Sequence, residues 1–137
     1  MAYLSDIRAF FADKLNTYQS TNVAWENTPF DPATPDYITF TIAQSDVNQL
    51  EYGTYGRDER KGIVTINVMK PNDTGSGPAL TKAEAIAALF YRGLSGVQNG
   101  TKVLVRKAVV GPAIQTNIHY AVPVSIYWQS VTPPVGV

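Results

Sequence analysis

The stretch of sequence that decides the fold is WENTPFDPATPDYITFTI, residues 25–42. Its first part carries three prolines, each of which fixes its own φ and favours extended geometry in the residue before it. Its last part alternates apolar and polar side chains from Ile38 to Ile42, the pattern of a half-buried strand. The stretch is therefore predicted to be a rigid, ordered crossing that leads directly into a strand.

Helical spacing of apolar residues predicts two helices, one over residues 5–18 and one from Pro78 to about Phe90. Ser5 is the expected N-cap of the first helix, and Gly93 is the expected stop of the second. Five strands are expected from apolar runs and alternation, around residues 23–25, 38–43, 64–69, 103–110 and 120–128. The order αβββαββ predicts an α+β fold, with two helices on one face of a mainly antiparallel sheet of about five strands.

The length of 137 residues fits one domain. We expect a single α+β domain over residues 1–129, followed by a short proline-rich tail at 130–137. The second and third strands are expected to form a long hairpin, and the aperiodic, glycine-punctuated residues 46–62 are expected to be its mobile loop. Pro123 cannot donate a ladder hydrogen bond, so the last strand is expected to lie at an edge or to carry a bulge there.

The net charge is zero, from 11 basic and 11 acidic side chains. This balance argues against a dedicated nucleic-acid-binding protein, which normally has a basic excess. The charges are nevertheless uneven along the chain: residues 1–61 contain five basic and nine acidic side chains, and residues 62–137 contain six and two. Either the two halves present opposite surfaces that could meet between copies, or they interleave in one sheet and the charges mix; interleaving is the favoured interpretation.

The chain contains no cysteine, which excludes disulfides and cysteine zinc sites and suits folding in a reducing cytoplasm. The N-terminus does not have the pattern of a signal peptide, because Asp6 and Arg8 follow its first apolar residues at once. No apolar run approaches the roughly 20 residues of a membrane span, so no membrane partner is expected.

The candidates for chemistry are weak. His119 is the only histidine, and catalysis would need it beside a serine such as Ser125 and an orienting carboxylate. Cation binding at Asp58 and Glu59, or at Asp73, lacks the spacing of a calcium loop. The glycine-rich residues 75–78 lack a phosphate-binding motif, and Pro78 removes an amide that such a site would use. We therefore expect no catalytic residue, no cofactor and no metal.

The residues most indicative of function lie in the expected hairpin loop. Tyrosine and arginine are enriched at protein interfaces because they bury area while keeping a polar end. A solvated hairpin tip without a partner is an equally good interpretation. The tryptophans Trp25 and Trp128 are expected to belong to the core. The candidate interface residues are Tyr52, Tyr55, Arg57, Asp58, Glu59 and Arg60.

The run Trp25-Glu26-Asn27-Thr28-Pro29-Phe30, placed after the first helix, resembles the tail terminator-like proteins of long-tailed bacteriophages. The resemblance implies a virion protein, made in the host cytoplasm, that caps the tail tube at its head-proximal end and stops its polymerisation. It also implies a hexameric ring of identical subunits that contacts the major tail tube protein and a head-side connector protein. No catalytic motif comes with the resemblance.

Other functions remain open at this stage. A connector stopper or minor tail component would share the class of partner and differ only in the surface that it binds. An enzyme would need a cleft with convergent titratable groups, which this composition hardly supplies. A nucleic-acid-binding module is disfavoured by the neutral charge, so no specific nucleic-acid binding is expected.

Overall fold

A computed structural model describes residues 3–31, 34–53, 56–72, 75–116 and 118–132 of the chain. It contains two helices and one seven-stranded sheet, which makes it an α+β fold as expected. In chain order the elements are α1 (Tyr3–Tyr18), β1 (Val23–Ala24), β2 (Tyr37–Gln49), β3 (Asp58–Pro71), α2 (Gly77–Leu89), β4 (Ser95–Gln98), β5 (Thr101–Val110), β6 (Ile114–Gln115) and β7 (His119–Thr132).

The sheet differs from the expected one in strand number and direction. Its strands lie in the order β1-β2-β3-β7-β5-β4, and β6 pairs with β7 beside β5. The expected β2–β3 hairpin is present, but β1 runs parallel to β2, so the sheet is mixed. The prediction of five mainly antiparallel strands in the order αβββαββ is therefore wrong. It missed β4 and β6, and alternation carries no information on strand direction.

Both helices pack on the same face of the sheet, as predicted. The inward residues of β3 are Val64, Ile66 and Val68, which are fully buried and alternate with half-buried neighbours. They share one hydrophobic core with Phe11 of α1 and Ile86 of α2. Trp128 lies in this core and Trp25 packs against it, which places both tryptophans where the sequence analysis expected them.

The strands run further than their apolar patterns suggested. β2 continues to Gln49 and β3 begins at Asp58, so the expected loop at residues 46–62 shrinks to residues 50–57. β7 continues to Thr132, so the first three residues of the expected tail at 130–137 are strand; the rest lie outside the described residues. The polar ends of these strands become ordered because backbone pairing, which is independent of side-chain type, holds them in register.

The helix ends also differ from the expected ones. α1 begins at Tyr3, so Ser5 lies inside the helix and is not its N-cap. α2 ends at Leu89 with Phe90 as its C-cap, and Pro78 lies in its first turn as predicted. Gly93 follows three residues after the cap with φ of 91°, where its N–H donates to the carbonyl of Val105 at 2.9 Å. It therefore shapes the turn into β4 instead of ending the helix.

Pro123 occupies a central strand, which corrects the expectation of an edge. Its carbonyl accepts a hydrogen bond of 2.8 Å from the N–H of Gly111, in the turn between β5 and β6. N and C=O of one strand residue point to the same side, so the missing N–H of Pro123 faces the interruption between those two strands. The sheet thus tolerates a proline in a central strand because the hydrogen-bond ladder on that side of β7 is interrupted between β5 and β6.

The motif that resembles tail terminators ties three elements together. Glu26 accepts a hydrogen bond from Arg8 of α1 at 3.0 Å and another from the backbone N–H of Ile42 in β2 at 3.2 Å. The ring of Trp25 lies 5.3 Å from that of Phe40, and the guanidinium of Arg8 lies over both rings. The motif therefore fixes the crossing between α1 and β2 and has a structural role.

The strand order only partly separates the two halves of the chain. β1 and β2 come from residues 1–61 and lie on one side of the sheet, whereas β7, β5, β6 and β4 come from residues 62–137 and lie on the other, and β3 contains the boundary. α1 belongs to the first half but packs against β4 and β5. The strands of the two halves therefore do not alternate in the sheet, but α1 places acidic side chains of the first half beside the basic half.

Candidate interface site

The tip of the β2–β3 hairpin, residues 50–57, is held by one bidentate ion pair. Nε of Arg57 donates to Oε1 of Glu51 at 2.9 Å, and Nη2 of Arg57 donates to Oε2 at 3.2 Å. The backbone N–H of Arg57 also donates to Oε1 at 2.9 Å. Planar pairing of this kind fixes direction as well as distance, so the side chains orient the two ends of the tip relative to each other.

Gly56 allows the tip to close. A Cβ at this position would lie 2.8 Å from the carbonyl oxygen of Tyr52 and as near to the backbone of Glu51, too close for any side chain. The N–H of Gly56 donates to the carbonyl of Gly53 at 3.2 Å, and Gly53 has φ of 92°. Glycine is the residue that adopts this φ without strain.

The ion pair shifts the pKa of both partners. Hydrogen bonds from the side chain and backbone of Arg57 lower the pKa of Glu51 from 4.5 to about 2. The hydrogen bonds with Glu51 raise the pKa of Arg57 above its ordinary value. Because both side chains remain largely exposed to solvent, the pair contributes little to global stability.

The predicted interface residues differ in exposure. Tyr52 is 98% exposed, at the outermost part of the tip. Tyr55 lies outside the described residues. Asp58 and Glu59 belong to β3 and are half-buried, and Glu59 pairs with Lys61 at 3.0 Å. The charged cluster thus makes its pairs within the subunit, and residues 58–60 are already ordered in a strand.

Arg60 is buried, which corrects its assignment as a contact residue. Its side chain is 5% exposed and points inward with Gly62 and Val64. It donates to Oγ1 of Thr132 at 2.8 Å and to Oε1 of Gln44 at 3.2 Å, and its guanidinium lies 5.1 Å from the ring centroid of Tyr3. Counting back by twos from Val64 would have placed Arg60 on the inner face, a signal that the sequence analysis did not use.

The tip adjoins a shallow cavity on the open face of the sheet. The cavity has a volume of about 330 Å³ and is lined by Arg57, Lys102, Leu104, Gln129, Ser130 and Val131. Arg57 and Lys102 make it cationic, and Arg57 already binds Glu51. The sequence analysis missed Lys102, which comes close only through the register of β3 with β7 and of β7 with β5.

The weaker candidates do not form a site. His119 is buried, its Nε2 donates to the carbonyl of Thr34 at 2.7 Å, and its ring packs edge-on against Tyr37. Asp73 lies outside the described residues, and Asn72 instead donates to the carbonyl of Thr116 at 3.0 Å. Within the described ranges, no three histidine or acidic side chains cluster as metal ligands. None of the helices there has the length and apolar character to cross a membrane.

An exposed, ion-paired hairpin tip on an α+β domain is a surface accessible to a protein partner. The sequence matches the family described as phage tail terminator protein over residues 6–128. This chain belongs to that family, whose members are structural proteins of phage tails. The resemblance noted at Trp25–Phe30 is thereby confirmed.

Two of the solved structures that share the fold illustrate the similarity. One, which carries no descriptive name, is 26% identical in sequence with a TM-score of 0.77, and the match covers 95% of this chain and 96% of that chain. The other is a chain of the virion of a native gene transfer agent particle, 13% identical with a TM-score of 0.58, covering 97% and 98%. A search of curated proteins gives no match.

Proposed function

We propose that this protein caps the phage tail tube, stops its polymerisation and forms the surface at which the tail joins the head. In this proposal six copies form a ring in the virion, one face of the ring binds the major tail tube protein, and the other binds a head-side connector protein. The observation that carries the proposal is the family match, which spans both helices and almost all of the sheet.

The hairpin tip supplies the proposed contact with the tail tube. Tyr52 is almost fully exposed on a tip whose shape is fixed by the Glu51–Arg57 pair. An aromatic side chain held on an ordered support loses little conformational entropy when it binds a partner. The tip also lies beside the cationic cavity at Lys102, which would receive an acidic group of the partner.

The test is to disrupt the gene in the phage that encodes it and to measure tails by electron microscopy. Tails without a cap are expected to exceed the normal length and to lack heads, and the wild-type gene on a plasmid is expected to restore normal particles. Tails of normal length that lack heads would contradict capping and would favour a connector stopper. Normal tails joined to heads would contradict both functions.

The role of the tip is tested by supplying variant genes on the plasmid in the same assay. Tyr52→Ala removes an exposed ring that makes no core contact, so the variant is expected to fold normally. We expect it to bind purified tail tube roughly tenfold more weakly than wild type and to leave over-long tails. The matched control is Tyr91→Ala, which removes another exposed tyrosine, 55% accessible, from the turn after α2. Equal binding by both variants would exclude the tip.

A further inference from the structure

β2 has an open edge on the side away from β3. β1 pairs only with Ile38 and Thr39, and the carboxylate of Glu26 occupies the N–H of Ile42. In the part of the chain that the structure describes, no strand covers the next seven residues, 43–49, on that side. All seven are exposed. A strand edge of this kind presents unpaired backbone groups to any chain that can pair with it.

The opposite end of the sheet has a second open edge, on β5. β4 pairs with Thr101–Leu104, and the backbone of Gly93 and Leu94 reaches only to Val105. Among the described residues, no strand pairs with residues 106–110 on the side away from β7. Arg106, Lys107 and Val109 on this segment are exposed. The molecule therefore has two free strand edges, one from each half of the chain.

The two edges carry opposite charges. Asp46 lies on the β2 edge, and its carboxylate accepts hydrogen bonds from the N–H of Val47 and from Asn48, both at 2.9 Å. Arg106 and Lys107 lie on the β5 edge, and neither has a carboxylate within ion-pair distance in the described ranges. Opposite charge favours contact between unlike edges and disfavours contact between like ones.

Each edge also carries a β-bulge that limits how far it can pair. The bulge in β2 lies between Gln44 and Asp46, and the bulge in β5 lies between Val105 and Lys107. Each leaves four regular residues, 46–49 and 107–110, or about 13 Å of strand. Bulges protect exposed edges from unlimited pairing, so each edge offers one short segment of matched length.

This inference rests on the proposed ring: we propose that the β2 edge of one copy pairs with the β5 edge of a second copy, antiparallel, with Asp46 beside Val109 and Asn48 beside Lys107. β2 and β5 run in opposite directions within the subunit, so antiparallel pairing keeps the helices of both copies on the same face of one continuous sheet. Asp46 turns from its own backbone to Arg106 and Lys107 of the neighbour, which frees the N–H of Val47 for the neighbour's carbonyl. Two different patches meet, and such a contact generates a ring when the rotation between copies closes.

Cysteine cross-linking tests the register directly, since the chain has no cysteine of its own. Asn48→Cys and Lys107→Cys are made in separate chains, mixed and oxidised. Paired strands bring the Cα atoms within the range of a disulfide, so the mixture is expected to give heterodimers in at least tenfold excess over a control mixture of Asn48→Cys with Ala85→Cys. Ala85 is an exposed residue of α2. Equal cross-linking in the two mixtures would overturn the proposal.

A proline on the β2 edge tests the same contact without cysteines. Among the residues that the structure describes, the N–H of Val47 binds only the neighbouring Asp46 side chain, so Val47→Pro is compatible with the fold. We expect unchanged thermal unfolding and roughly tenfold weaker self-association by light scattering. Rings that persist in Val47→Pro, together with no excess of heterodimers in the cysteine mixture, would overturn the edge contact and leave the proposed ring standing. If wild-type copies do not associate and the cysteine variants do not cross-link, the edge contact is overturned. The capping function is tested separately, by the tail lengths measured after disruption of the gene.

Discussion

Gly62 lies in a tight space between the backbone of β2 and the indole ring of Trp128. It lies opposite Trp128 in the β3–β7 register, and a Cβ on it would overlap the indole ring of Trp128 and the carbonyl oxygen of Ala43. The largest buried side chain of the molecule therefore rests on a bare backbone. Any side chain at residue 62 must displace either the indole or a strand.

Gly62→Ala is accordingly expected to lower the free energy of unfolding by about 3 kcal/mol, the upper part of the usual cost of overpacking a core. The measurement is urea unfolding followed by fluorescence. Gly77→Ala is the matched control, because nothing lies within 4 Å of its added Cβ, and it should change stability by less than about 1 kcal/mol. Equal stability of the two variants would contradict the close approach.

Glu51 is expected to titrate far below an ordinary glutamate. Its pKa is lowered to about 2 in the folded state. The stabilisation that the ionised carboxylate gains from Arg57 is therefore complete above pH 4.5 and is lost as the pH falls from 4.5 through about 2. NMR titration of its side-chain carboxyl should give this low midpoint. Arg57→Gln should return the midpoint towards 4.5, whereas Arg92→Gln, at an exposed arginine elsewhere, should leave it unchanged. A wild-type midpoint near 4.5 would contradict the bidentate pair.

Residue types predicted which side chains of the tip are exposed, but they did not predict where the tip ends and β3 begins. The sequence marked Tyr52 and Arg57 as surface residues, and both are on the surface. It marked Arg60 in the same way, because a run of five charged residues suggests a solvated loop. The run is instead the start of β3, in which strand alternation turns Arg60 inward. Charge alone does not reveal that alternation.

At the scale of elements, Asp6 joins α1 to the far edge of the sheet. Its carboxylate accepts hydrogen bonds from Nδ2 of Asn99 and Oγ1 of Thr101, both at 3.1 Å, at the β4–β5 hairpin. It also lies in the first turn of α1, where a negative charge favours the helix dipole. One side chain thus interacts favourably with the helix dipole and also hydrogen-bonds the hairpin.

Asp6→Ala is expected to reduce stability by about 1–2 kcal/mol, from two lost hydrogen bonds and the lost dipole interaction. Thermal unfolding followed by circular dichroism measures the loss. Asp13→Ala removes the same charge from an exposed position of the same helix and should cost less than about 0.5 kcal/mol. Similar losses in both variants would show that charge, and not these hydrogen bonds, is responsible.

The features that the sequence analysis missed differ in whether the sequence contains a signal for them. β4 could have been found, because Asn99 and Gly100 both have positive φ in the tight turn before β5, and Asn-Gly is the usual sequence of such a turn. The direction of β1 could not, since a two-residue strand has no periodicity and its partner depends on how the proline crossing folds back. Short strands are defined by their neighbours.

At the scale of the whole molecule, the fold brings the two halves of the chain together. Residues 1–61 and 62–137 have opposite net charge, but β3 contains the boundary between them and α1 packs against β4 and β5. This arrangement depends on pairing between β3 and β7, strands about 60 residues apart, which local patterns do not encode. The fold class was therefore predictable and the placement of the charges was not.

Exchanging the charges of the two edges should first destroy and then restore self-association. Asp46→Lys places three positive charges together at the proposed contact, and we expect association to weaken about tenfold. Lys107→Glu in the same chain should recover most of that loss, which light scattering can measure. Glu84→Lys makes the same change in net charge on the exposed surface of α2 and should have no effect. Failure of the double variant to recover would contradict the charge contact between Asp46 and Lys107.

β7 follows β3 and β5 in the chain, yet it lies between them in the sheet. Until β7 has been made, β3 and β5 have no common partner and the helices have no complete surface to cover. A chain truncated before β7 therefore cannot display a finished subunit surface, however much of it is correct. Placing a late segment at the middle of the sheet makes its synthesis a condition for folding of the whole domain.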